Sequence, residues 1–452
     1  MSIFMTRPYK SLPGLNRRQL LRAAVIGGSA ATGLLSSRVW SGASHQPYEG
    51  PLLVTLQLDG GVDVTQLCDP KVNVKGEPKI NFWADAADPG QAGNLLYAPV
   101  ANNAAFFERF GRDMLVINGV DSQTNSHETG KLYNWTGSNA EGRPSLSALF
   151  AAAQSPEQPL AYSVFDGFSR TAGLIGYNRF DDLSNMGALI RPNVDPWSGG
   201  LKRAEEDVLR SQQLVQDGVQ SLLLQPNLSV RQRQSALRFV EAREGRDGLQ
   251  RLAELVPAEE DIQRREDFTA GGMNFSSSLK QQMQGALLVF KSGLGSAADL
   301  ALGGFDSHDV HDPVSETLLA HFADAVHFFW DYAEELGLAD RILLVIGSDF
   351  SRTNFYNDGN GKDHWPIGSY MVMEQGATWG DRMVGLTDEL HFAKAIDAEA
   401  LKEDPKGVLM KPSHVHKALQ QYLGLDQYAE GIGLGLADVE LLPLFDPFLS
   451  SY

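Results

Sequence analysis

Residues 303–311 read GGFDSHDVH and follow the apolar run 299–302, so two carboxylates and two imidazoles arrive directly after what reads as a short buried strand. Glycines at the end of such a strand, followed by Asp306, His308 and His311, deliver metal-ligand types to the carboxyl edge of a sheet, where open α/β folds place their sites. The pattern recurs. The run 52–58 (LLVTLQL) ends at Asp59, the run 114–120 (MLVINGV) ends at Asp121, and the run 341–346 (RILLVI) passes through Gly347 and Ser348 to Asp349. Aspartate favours turns, so one such ending carries little meaning. Four of them together with clustered histidines point to a shared site.

The residues between these runs supply the helices. Asp312 and Pro313 suit an N-cap and a first helical position, Val314, Leu318, Phe322, Val326, Phe329 and Ala333 form one apolar stripe, and Gly337 ends it. The strand at 341–346 then completes a strand–helix–strand unit, which implies parallel strands. Residues 103–110, 277–291 and 413–423 read as further helices, and 160–165 and 369–373 as further strands. From 200 to about 265 the chain is rich in Leu, Gln, Glu and Arg at helical spacing, which predicts a helical insertion forming a solvated lid or cap. The expected architecture is a doubly wound, mostly parallel α/β sheet flanked by helices, with that insertion, over residues 45–452.

Candidate chemistry lies in the loops. Residues 121–130 (DSQTNSHETG) end in a helix start, where Ser126 suits a cap and Thr124 or Ser126, beside His127, could serve as a nucleophile. A helix amino end also favours anions such as phosphate and sulfate esters. Arg352 follows Asp349, and the polar loop 357–362 delivers Lys362, Asp363 and His364 ahead of Pro366, which restrains the exit path. Arg352 or Lys362 is placed to hold ester oxygens. His321, His327, His414 and His416 fall on helices and read as packing or surface residues.

Charge and leader narrow the class. Residues 1–44 hold six basic and no acidic residues, so setting them aside takes the net charge from -18 to -24. Nothing in that balance resembles a nucleic-acid footprint. Cys68 is the single cysteine, so no intramolecular disulfide forms. Arg17 and Arg18 stand in NRRQLLR before the mild apolar segment 23–35, which is too short for a stable membrane span, and small residues follow at 41–43. That order predicts a twin-arginine export signal cleaved near Ala43 or Ser44, with the translocase as a transient partner and a periplasmic or extracellular destination.

These motifs together, the twin-arginine leader, NSHETG ahead of Trp135-Thr136-Gly137, GGFDSH, GSDFSRT and KDHWP, resemble a secreted, sulfatase-like bacterial family of unknown function in the alkaline phosphatase superfamily. The resemblance spans residues 16–425. It implies a metal site at the carboxyl sheet edge, with Asp59, Asp306, Asp349 and His364 as ligands, His308 or His311 as the imidazole beside Asp306, and Asp363 nearby. It implies a divalent metal, with Zn, Mn or Fe suiting the mixed donors and Ca suiting a carboxylate-dominated set. The substrate expected is a small-molecule or polysaccharide ester of phosphate or sulfate. Three departures stand out: Asp349 and Ser351 replace residues of an SEFGR motif, the usual nucleophile position falls on Gln123, and no CxPxR sulfatase signature is present.

Overall fold

The computed structural model of the chain describes residues 46–449, apart from 181–186, 188, 189, 196, 197, 230, 231, 234 and 238–245. The expected twin-arginine leader, including Arg17 and Arg18, lies outside the described residues, as does part of the expected insertion.

Eight strands form the central sheet: β1 (Leu52–Asp59), β2 (Met114–Asp121), β3 (Tyr162–Val164), β4 (Asn178–Arg179), β5 (Ala297–Gly303), β6 (Ile342–Gly347), β7 (Ile367–Met373) and β8 (Arg382–Val384), in the order β8-β2-β7-β6-β1-β5-β3-β4. β1 pairs in parallel with both β5 and β6. β7 alone is reversed, antiparallel to β6 and to β2. The reversal follows from its connection: β6 ends at Gly347 and β7 begins at Ile367 with only the loop 348–366 between, and no crossover helix returns the chain to the other edge. That loop carries Asp349, Arg352, Asp363 and His364.

Alternation along the strands builds two cores, one on each face. Leu52, Val54, Leu56 and Leu58 of β1 join Ile342, Leu344 and Ile346 of β6 on one face, while Leu53, Leu343 and Val345 face the other. Helices α1 (Asn103–Phe110), α6 (Leu279–Lys291) and α7 (His311–Glu335) pack on the first, through Phe106, Phe107, Leu287 and the stripe from Val314 to Ala333. Helices α3 (Leu146–Gln154) and α8 (Pro412–Tyr422) cover the second, through Phe150, Val415 and Leu419. The expected fold, a mostly parallel sheet between two helical layers, is therefore the one observed. Between α3 and α6 the chain forms α4 (Glu205–Leu223), which buries none of its residues, and α5 (Arg246–Leu255). Among the described residues no helix is long and apolar enough to cross a membrane.

One helix start differs from expectation. Asp312 does not cap α7; the helix begins at His311, and Val310 ahead of it adopts φ 52°. The backbone carbonyl of Asn360 takes the His311 amide at 2.9 Å, so the loop 357–360 does the capping. Asp312 instead accepts from Gln66 Nε2 and Tyr356 Oη, both at 2.7 Å.

Parallel register fixes where the strand ends meet. Asp59 lies opposite Gly303, and Gln57 opposite Gly347, so the segments that leave β1, β5 and β6 emerge side by side. In mid-sheet, β5 carries a fully buried carboxyl, Asp299, whose Oδ1 accepts from Thr55 Oγ1 at 2.7 Å and whose Oδ2 accepts from Tyr162 Oη. Burial pushes it up to about 6, with the hydroxyl hydrogen bonds from Tyr162 and Thr55 opposing. Because the folded value exceeds the unfolded one, its contribution is full below pH ~4 and is lost as pH rises through ~6, a swing of about 3 kcal/mol. Asp299→Asn should therefore gain stability relative to wild type between pH 4 and pH 7, read as the difference in denaturation midpoints; a pH-independent difference contradicts this assignment.

Candidate metal centre

Helix α2 (His127–Thr136) begins after two successive local turns. The Asp121 carboxylate accepts the Gln123 amide at 2.8 Å, with Gln123 at φ 55°, and Thr124 Oγ1 accepts the Ser126 amide at 3.1 Å. Ser126 occupies the N-cap position without a side-chain cap bond. These turns deliver His127 off the first turn of the helix. Its Nδ1 bonds to Asp349 Oδ2, and Asp349 is fully buried, its Oδ1 accepting the amides of Gly61 at 2.6 Å and Gly60 at 3.2 Å and the Ser348 hydroxyl at 2.9 Å. Burial alone would raise this carboxyl; the bond from His127 and its charge outweigh that and lower it, and the same contact raises His127. Gly60 is obligatory at φ 108°, since a Cβ there would stand 2.6 Å from the Asp306 amide nitrogen.

The second group comes from GGFDSHDVH and its partner loop. Asn357 Nδ2 donates to the His308 carbonyl at 2.9 Å, and a Cβ on Gly361 would meet that same oxygen at 1.7 Å, so only glycine lets the two loops lie this close. His308 Nδ1 then bonds to Asp363 Oδ1 at 2.7 Å. Ser351 and Arg352 pair as a short antiparallel ladder with Trp365 and His364, which presents the third imidazole. Its Nδ1 bonds to the Asn125 carbonyl at 2.8 Å.

His127 and His308 each turn Nε2 towards His364 Nε2 and Asp306. His364 Nε2 lies 3.1 Å from His127 Nε2 and 3.1 Å from His308 Nε2. Asp306 Oδ1 stands 2.9 Å from His308 Nε2 and 3.1 Å from His364 Nε2, and its Oδ2 stands 3.5 Å from His127 Nε2. The opposite contacts decide the protonation. A carbonyl or carboxylate oxygen only accepts, so each Nδ1 carries a proton, and Nε2 is the nitrogen that each ring can offer to a metal. Imidazole nitrogens grouped with a carboxylate are the donor types that divalent metals take. His127, Asp306 and His364 each place one ligand atom within 4.8 Å of the other two, His308 Nε2 adjoins Asp306 and His364, and ligating histidines ordinarily donate their second N–H in this way. The donor set therefore fits a divalent metal.

The candidates of the sequence divide accordingly. His308, Asp306 and His364 meet, joined by His127, which sequence alone suggested for catalysis rather than for ligation. Asp349 and Asp363 stand behind the imidazoles as hydrogen-bond acceptors. Asp59 is engaged by Lys131 Nζ at 2.9 Å; burial pushes its carboxyl up to about 6 against the pull of that ammonium, and its Oδ1 is buried without a partner. His311 is elsewhere, both ring nitrogens occupied by Ser307 Oγ at 2.6 Å and Asp63 Oδ2 at 3.0 Å. Arg352 is fully buried and spends its donors on the Gly60, Gly61 and Lys362 carbonyls and on Asp306 Oδ1, the last at 2.6 Å. Lys362 is likewise buried, on Asp63 Oδ2 at 2.7 Å. Neither cation is available to ester oxygens. Burial would raise the Asp306 carboxyl, but Arg352 holds it down at about 2. Lys131 and the Asn125 carbonyl went unread in the sequence: a lysine four residues into a helix carries no signal for the acid it will meet, and a main-chain carbonyl carries none at all.

Solved structures offer distant likenesses. A Bacteroides thetaiotaomicron structure from work on metabolism of multiple glycosaminoglycans matches 89% of this chain and 78% of its own, with 11% identity and a TM-score of 0.39. A sulfatase from Pseudoalteromonas sp. matches 92% and 73%, with 11% identity and a TM-score of 0.34. A phosphonate monoester hydrolase of Agrobacterium radiobacter matches 83% and 74%, with 10% identity and a TM-score of 0.31. No curated protein matches. The family model described as "Protein of unknown function (DUF1501)" matches residues 52–426, from the first residue of β1 to beyond α8, and the chain belongs to that family.

Proposed function

We propose that this protein is an exported, metal-dependent hydrolase of the alkaline phosphatase superfamily, with His127, His308, His364 and Asp306 holding one divalent cation. The observation that carries the reading is the convergence of three Nε2 atoms whose Nδ1 partners are all acceptors. An imidazole-rich donor set favours Zn, Mn or Fe over Ca. Bound there, the cation supplies Lewis acidity toward a phosphate or sulfate ester. The chain's own residues orient the rings: Asp349, Asp363 and the Asn125 carbonyl each keep a proton on Nδ1, which leaves Nε2 to ligate. Arg352 keeps Asp306 ionised.

A covalent route through Thr124 or Ser126 has less support than attack by water. Thr124 Oγ1 is engaged in the turn ahead of α2, and the helix-start group that reaches the acids is His127. A second reading is a non-catalytic envelope protein with a structural metal, and one observation favours it: Gln123, which cannot attack an ester, stands at the usual nucleophile position. A metal assay and a screen of phosphate and sulfate monoesters on the purified chain separate the two.

Asp306→Ala should lower zinc affinity at least ~10-fold while leaving the far-ultraviolet circular dichroism unchanged, because the carboxylate is half-exposed and Arg352, with which it pairs, keeps its three carbonyl acceptors. Equal zinc content in wild type and variant contradicts the assignment. If the ester screen finds turnover, Thr124→Ala and Ser126→Ala should each retain it within about tenfold, since a water route uses neither hydroxyl; abolition by either restores the covalent route. For the leader, Arg17→Lys with Arg18→Lys should leave unprocessed precursor in the cell, as the paired guanidinium groups are what the export receptor reads. Normal processing of that variant removes the export assignment.

A further inference from the structure

Beside the four donors lies a second cluster of charge, entirely buried. Asp63, Lys362 and His311 are 0%, 0% and 1% exposed. Asp63 Oδ2 accepts from Lys362 Nζ at 2.7 Å and from His311 Nε2 at 3.0 Å, while its Oδ1 accepts the Thr65 amide at 2.9 Å and the Thr65 hydroxyl at 2.7 Å. Every lone-pair direction of this carboxylate is thus used. His311 Nδ1 accepts from the Ser307 hydroxyl at 2.6 Å, and the Lys362 amide donates to the Ser307 carbonyl at 3.1 Å. The ammonium and the imidazole draw this carboxyl far below the usual carboxylate range despite its burial.

What matters is where these residues sit in the chain. Ser307 lies between Asp306 and His308. Lys362 immediately precedes Asp363 and His364. Asp63 follows the turn whose Gly60 and Gly61 amides hold Asp349, the acceptor behind His127. One carboxylate therefore ties together the three segments that carry or support all four donors.

We propose that Asp63 is a positioning residue for the cation site, holding the loops 304–311 and 357–364 in register so that the imidazoles converge before any cation arrives. The inference rests on the reading that His127, His308, His364 and Asp306 hold a divalent cation. A buried ion pair by itself is weak evidence for stability, because desolvation of both charges offsets their attraction. Specifying the geometry of a site is a separate role, and it is separately measurable.

The test is zinc titration of the full chain, followed by calorimetry, with thermal midpoints recorded in chelator. Asp63→Asn leaves a buried ammonium without its counter-charge, so the double variant Asp63→Asn with Lys362→Met is made alongside it to remove the charge imbalance. Asp299→Asn, which alters a buried carboxyl in mid-sheet, is the control for stability changes that leave the site untouched. The expected result is that the folded double variant binds zinc 10- to 100-fold more weakly than wild type, while Asp299→Asn binds with wild-type affinity. Wild-type affinity in the folded double variant overturns the proposal and leaves the cation site standing. A double variant too unstable to fold at the titration temperature assigns the cluster to stability and also overturns it. Absence of zinc binding by wild type removes the cation site itself, and this inference with it.

Discussion

Three imidazoles stand beside one carboxylate at the edge of the sheet, each ring held through Nδ1 so that Nε2 is the nitrogen left to bind. The arrangement is held from outside. Asp349, Asp363 and the Asn125 carbonyl each take an Nδ1 proton, and each is fixed in turn: Asp349 by two backbone amides and a serine, Asp363 by its place beside Lys362, Asn125 by the turns ahead of α2. Hydrogen bonds that group imidazoles with a carboxylate in this way suit a cation, which such donors bind.

The sheet makes that convergence possible. Parallel pairing of β1 with β5 and β6 brings three chain exits to one edge, and β7 doubles back because its connecting loop never leaves that edge. Two glycines allow the approach, Gly60 against the Asp306 backbone and Gly361 against the His308 carbonyl. Beneath the donors, Asp63, Lys362 and His311 join the loops through a fully buried network. On the proposed reading the layers differ in consequence: losing a donor would weaken metal binding directly, whereas losing the network would leave the donors present but misplaced.

Much of this was legible in the residues. Apolar runs ending in Asp59, Asp121, Asp349 and the GGFDSH segment gave both the strands and the edge at which chemistry collects. The apolar stripe of α7 was read residue by residue, with its start displaced because a neighbouring loop, not Asp312, caps it. The division of labour within the site was less visible. Carboxylates look alike in sequence, yet Asp306 faces the imidazoles while Asp349 and Asp363 stand behind them and Asp59 meets Lys131. His311 shares a motif with His308 but, three residues on, lies in the first turn of a helix that turns it inward to Asp63. Those outcomes depend on which loop lies against which, through contacts separated by up to hundreds of residues, and local pattern carries no record of them.

X-ray absorption at the zinc edge, on the zinc-loaded full chain, tests the central claim most directly. Three imidazole nitrogens and one carboxylate oxygen predict a four-coordinate shell at about 2.0–2.1 Å with the multiple-scattering signature of histidine. A shell of oxygen donors alone, without that histidine signature, would contradict the account.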